Sequence, residues 1–153
     1  MKKLIFLSFA LVLAALESQA QQQQFKVITV VESIVPMGLG RSRLIETKTE
    51  ADVSALTTER TEGTDTKQGS VKRKDIKADA FSEAKLLNFF SMTGINFQNI
   101  ASNDAVIAAK INELSADGWK LTFVTSGVES NAGQQDGEGI FVTRMFFARD
   151  VVK

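Results

Sequence analysis

The stretch DAVIAAKINELSADGWKL, residues 104–121, decides the fold. Ile107, Ile111 and Leu114 recur at i, i+4 and i+7 with Ala108 beside them, which is the apolar stripe of an α-helix. Ser102 suits the N-cap, and Asp104 falls in the first turn, where the helix dipole favours a carboxylate. Gly118 follows the last turn as the residue that adopts a left-handed cap and stops the helix. The spacing predicts a helix over 104–117. The period then changes: in WKLTFVTS, residues 119–126, alternation places Trp119, Leu121 and Phe123 on one face of a strand.

Strands flank this helix on both sides. FKVITVVESIV, residues 25–35, is dense in β-branched side chains and ends at the only proline, Pro36. Phe25, Val27, Thr29 and Val31 share one face, and Lys26, Ile28, Val30 and Glu32 the other; both are partly apolar, as in a central strand. RSRLIET, residues 41–47, reads as its return strand after a glycine turn. IFVTRMFFAR, residues 140–149, closes the chain as a strand with Phe141, Met145 and Phe147 on one face. Glu83 to Met92 reads as extended, because the Phe89-Phe90 pair and the Thr93-Gly94 stop fit a strand better than a helix. Between them, residues 47–77 are rich in Thr, Glu, Asp, Lys and Gly and poor in large apolar groups. Such a segment buries too little surface to offset its chain entropy, so it reads as a mobile insertion, with a short helix within EADVSALTTER. The order predicts an α+β fold: a small antiparallel sheet packed on one main helix, in a single domain over residues 25–153.

The N-terminus has the three parts of a secretory signal peptide. Lys2 and Lys3 are positive, residues 4–16 are apolar, and Ser18-Gln19-Ala20 offers small residues at −3 and −1. That apolar run would make a helix only ~20 Å long, short of the ~30 Å hydrocarbon core. The expected mature chain starts at Gln21, with residues 21–24 a polar N-terminal tail, and is exported to the periplasm or beyond with no membrane span.

Composition excludes several chemistries. The 153 residues contain no Cys and no His, so typical zinc sites, thiol nucleophiles and Ser-His-Asp triads are unavailable. No metal and no cofactor is expected. Eighteen Lys+Arg balance eighteen Asp+Glu, without the basic excess of a nucleic-acid binder. The four positive charges of VKRKDIK, residues 71–77, adjoin acidic TERTEGTD and read as a self-compensating linker.

The residues Ile111-Asn112-Glu113-Leu114-Ser115-Ala116-Asp117-Gly118-Trp119-Lys120-Leu121 resemble the LN-x-L-G-x-E-G-W-E-L signature of the family catalogued as domain of unknown function 4177. Ile111, Ser115, Asp117 and Lys120 depart from it. The resemblance implies an opening strand, a helix ending in the motif and two closing strands, and leaves roughly residues 37–100 outside. It implies a fold and no activity, and this chain would be a longer exported variant. Physically, the motif is a helix-to-strand connection in which Gly118 and Trp119 are structural.

Gly38-Leu39-Gly40-Arg41-Ser42-Arg43 is the most suggestive site, since backbone amides of a glycine turn beside two guanidiniums can hold an anion or a partner's carboxylate. The candidate contacts are Gly38, Gly40, Arg41 and Arg43; Arg144 would complete the cluster if the fold brought it near. Asp136 and Glu138 lie in a glycine-rich loop without EF-hand spacing and read as hairpin residues. Asp104, Glu113 and Asp117 are carboxylates on or near the helix with no evident cluster. The expectation is a non-enzymatic exported domain that binds a protein partner or small ligand. The alternatives are a carboxylate-dependent enzyme on an envelope or glycan substrate, and an envelope component that self-assembles through its strand edges.

Overall fold

A computed structural model describes residues 22–34, 42–64, 66–91, 93–129 and 139–151. The strands are β1 (Gln23–Ser33), β2 (Arg43–Thr47), β3 (Phe81–Lys85), β4 (Phe90–Ser91), β5 (Gly94–Ile95), β6 (Lys120–Val128) and β7 (Ile140–Asp150). The helices are α1 (Val53–Leu56), α2 (Arg73–Ile76) and α3 (Phe97–Ala116), with a 3-10 turn at Gln68–Ser70. Five strands form one antiparallel sheet in the order β3-β2-β1-β7-β6, and β4 and β5 make a small separate hairpin. The α+β architecture with one main helix is thus as the periodicity predicts. No helix among the described residues is long and apolar enough to cross a membrane.

β1 is central, paired along its whole length with β7 and over Ile28–Val31 with β2. Its Ile28 and Val30 join Leu44 of β2 and Met145 and Phe147 of β7 in the core. Leu114 of α3, Leu86 and Trp119 complete it, with Ile107 and Ile111 packed against it. Of the helical stripe read from the sequence, Leu114 is buried, Ile107 and Ile111 are half-buried against the core, and Ala108 is exposed.

The polar tail expected at residues 21–24 is corrected in part. Gln23 and Gln24 extend β1 opposite Asp150 and Arg149, and the Gln22 carbonyl accepts the Val151 amide at 2.9 Å. The backbone groups of the glutamines find partners because β7 runs on beside them, a long-range fact that composition does not carry.

The helix starts earlier than its apolar stripe suggested. Asn96, not Ser102, is the N-cap: its Oδ1 accepts the Asn99 amide at 3.1 Å. Ser102 lies inside the helix and donates its hydroxyl to the Gln98 carbonyl at 2.8 Å. The C-terminus follows expectation. Gly118 has φ +82°, its N–H donates to Ser115 O at 3.0 Å, and the Trp119 N–H donates to Leu114 O at 2.9 Å. These two bonds are the Schellman pair that closes a helix on a left-handed residue.

β2 and β3 pair antiparallel, so residues 48–80 leave and return to adjacent strands. Lys48 N–H donates to Ala80 O at 2.9 Å and closes the neck. Beyond it, α1, α2 and the 3-10 turn contain no buried residue. Asp52 caps α1 by accepting from the Ser54 and Ala55 amides. The residues read as an extended segment divide into the end of β3, a link through Leu86–Phe89, and β4.

Candidate functional site

The sheet has two unlike faces. Lys26, Ile28, Val30 and Glu32 of β1 face α3, as do Leu44, Glu46, Met145 and Phe147. The opposite face carries Phe25, Val27, Thr29 and Val31, registered against Ala148, Phe146, Arg144 and Val142 of β7. Ile45 of β2 and Phe123 of β6 extend it sideways. Among the described residues no helix or strand forms a layer over this face. Phe25, Phe123 and Phe81 are 66%, 61% and 52% exposed, while the smaller residues between them are half-buried by their neighbours. Phe123 leans on Phe146 with ring centroids 5.9 Å apart.

A bulge explains how Phe123 reaches that face. The β6–β7 register shifts between Leu121 and Phe123, so Thr122 is the extra residue and Phe123 points away from Leu121. The expected shared face of Trp119, Leu121 and Phe123 is thereby broken. Trp119 alone stays in the core at 5% exposure, and Leu121 and Phe123 are exposed. A bulge has no compositional signal here; Thr122 is an ordinary strand residue.

The helix side holds the buried ion pairs, while Arg43, Glu83, Lys85 and Arg144 stand on the open face. The Trp119 ring is flanked by Lys26 Nζ at 5.1 Å and Arg149 Cζ at 4.5 Å from its centroid. Beside it lies a cleft of about 580 Å³ lined in part by Lys26, Glu46, Lys48, Glu50, Asp117 and Arg149. Glu46 is buried and takes Lys26 on one oxygen and Lys110, at 2.6 Å, on the other. Lys110 also reaches Glu113 at 2.7 Å. Burial pushes the Glu46 carboxyl up, but hydrogen bonds from Lys110 and Lys26 and their charges outweigh it and hold the group below the usual carboxylate range. Burial likewise opposes the charge on Lys110, and its bonds to Glu113 and Glu46 more than compensate, raising its pKa.

Asn103 was not singled out by sequence reasoning. It is 1% exposed, accepts the Leu87 amide at 2.7 Å, and donates to Leu87 O at 2.8 Å and Glu32 Oε1 at 3.1 Å. Its signal was a polar residue on the apolar stripe, four positions before Ile107. Glu32 is pushed up by burial and by the charge of Asp104, against the lowering effect of the Asn103 bond.

Of the glycine-arginine candidates, Gly38, Gly40 and Arg41 lie outside the described residues, as do Asp136 and Glu138. Arg43 is exposed at the start of β2 and binds Glu83 of β3, its Nη1 lying 2.8 Å from both carboxylate oxygens. Arg144 lines a different depression, with Thr125, Gly127, Glu129 and Val142, so Arg43 and Arg144 are not gathered in one pocket. Asp104 and Asp117 stand ~20 Å apart along α3, and Glu113 is paired with Lys110. Among the described residues no group of three or more potential metal ligands occurs. No family model, no curated protein and no solved structure matches the chain.

Proposed function

We propose that this chain is an exported, non-enzymatic binding domain that docks a protein partner on the open face of its sheet. The observation that carries the reading is the set of exposed rings Phe25, Phe81 and Phe123, with half-buried Val27 and Phe146 between them, on a face that also carries Thr29, Arg43, Glu83, Lys85 and Arg144. Isolated exposed apolar residues are ordinary, but a group of them on one face is the mark of an interaction surface. The charged cleft supports binding over catalysis. Glu46, its most withdrawn carboxylate, is held ionised by two ammonium groups and cannot shuttle a proton near neutral pH. Arg43 opens β2 in the same sheet and would add a polar contact at the rim of the surface.

A photoreactive phenylalanine at position 25 or 81, introduced in the producing cells, tests the reading. A discrete covalent adduct is expected from these positions, none from position 104 on the helix surface, and its loss when Val27→Lys charges the face. Equal labelling from both sides of the molecule would refute it.

A further inference from the structure

The edge strand β6 is built to pair with a partner's backbone. It is exposed at every position and, among the described residues, pairs only with β7. Between Lys120 and Glu129 it carries no charge and no proline, the usual protections of a free edge, while Leu121, Phe123, Val124 and Val128 are all exposed large apolar residues. The opposite edge, β3, is short and presents Glu83 and Lys85. The hydrogen-bond phase of β6 is fixed by the Glu129 amide, which donates to Ile140 O at 2.9 Å. Glu129 and Ile140 are therefore a hydrogen-bonded pair, and by alternation so are Gly127–Val142, Thr125–Arg144 and Phe123–Phe146. The N–H and C=O groups of Val124, Ser126 and Val128 consequently point outward.

We propose that β6 pairs antiparallel with β6 of a second copy about a two-fold axis at Thr125, joining two sheets into one of ten strands. The proposal rests on reading the sheet as a docking layer and names an occupant of its edge. Three features of β6 select a second copy in this register. Val124 then faces Ser126 of the other copy, so the outward backbone groups of both are satisfied twice over. Phe123 faces Gly127, where no side chain blocks the ring. The charges are complementary end to end: with Thr122 bulged out, Lys120 of each copy meets Glu129 of the other on the open face. Glu129 Oε2 has no hydrogen-bond partner in the single chain. The axis is perpendicular to the sheet, so both open faces lie on the same side of the joined sheet.

Facing Thr125 residues would be a non-hydrogen-bonded pair, whose Cα atoms lie about 4.5 Å apart, within disulfide range. The chain has no native cysteine, so a single Thr125→Cys substitution reports cleanly. The purified protein is expected to have twice the monomer mass in sedimentation. Thr125→Cys should form a covalent dimer on mild oxidation, and Asp104→Cys should not. Val124→Lys should return the protein to monomer, still unfolding cooperatively but with a thermal midpoint that no longer rises with protein concentration. A monomeric mass, or a dimer that Thr125→Cys fails to trap, overturns the proposal. Photo-adducts at positions 25 and 81 to a different protein would survive that failure and leave the docking face standing. A trapped dimer without such adducts would remove the docking face and keep the edge.

Discussion

Replacing Asn103 tests whether one buried amide fastens α3 to the rest of the domain. In the wild type its side chain makes three hydrogen bonds, two to Leu87 and one to Glu32, with almost no exposure. Asn103→Ala strips the Leu87 N–H and C=O of their partners together. An unsatisfied buried group costs about 1–3 kcal/mol, and because the Leu87 side chain is exposed, water can reach part of this peptide. The expected loss is therefore about 2–4 kcal/mol in total, towards the lower end of two such penalties. Asn103→Leu should fare no better, since it restores volume without restoring a bond. Asn103→Asp keeps the acceptor for the Leu87 amide but places a carboxylate beside Glu32 and removes the bond that lowers the Glu32 pKa. A carboxyl raised in the folded state destabilises when ionised, and that cost disappears as pH falls through its folded pKa. Asn103→Asp should thus recover stability as pH falls from neutral towards the ordinary carboxylate range. Urea unfolding followed by the emission of Trp119, the only tryptophan, measures all three variants. An Asn103→Ala protein within ~0.5 kcal/mol of wild type, the range of an ordinary surface change, would refute the reasoning.

Trp119→Ala should cost ~3–5 kcal/mol by cavity formation, and a native emission maximum equal to that of the unfolded chain would contradict the burial of the ring. Gly118→Val should destabilise through its positive φ alone, because no atom lies within 4 Å of the added Cβ; Gly118→Asn, which tolerates that conformation better, should lose less in the same unfolding assay. The Glu46 pKa is lowered by folding, so its contribution is complete above the unfolded value and lost as pH falls through the folded one. The thermal midpoint of Glu46→Gln should accordingly fall less than that of the wild type on acidification below about pH 4.5, and parallel pH profiles would dismiss the two-lysine cage as a source of stability. Limited trypsin digestion should cut first between Arg60 and Lys77, where the short elements bury nothing, and protection there equal to that at Lys110 would show a packed segment. Intact mass of the exported protein should begin at Gln21; a chain retaining residues 1–20 would contradict signal cleavage.

What was legible follows from the range of the forces concerned. The stripe Ile107, Ile111, Leu114 and the stop at Gly118 are local, and both stand in the structure where the period places them. The start of α3 was not legible, because its first two turns have no apolar stripe and present Phe97 to solvent. Asn96 is a good cap, but so is Ser102, and only the hairpin of β4 and β5 decides between them. Asn96 N–H donates to Phe89 O at 2.6 Å, and Asn99 Nδ2 to Asn88 O at 2.7 Å, which fasten the first turn to residues that pattern alone leaves undefined.

The candidate site shows the same division more sharply. In the sequence, glycines, arginines and carboxylates stand out because their side chains or backbone freedom carry chemistry. The surface the fold exposes is instead made of phenylalanines and valines, which in sequence look like core. Alternation says that β1 has two apolar faces; it does not say that one helix is available to cover them. With a single long helix and five strands in the main sheet, one face of that sheet remains without a layer over it among the described residues. The bulge at Thr122 then turns Phe123 onto that same face instead of the core face with Leu121. The edge and the open face are therefore linked consequences of one count among the described residues, five strands in the main sheet to one long helix.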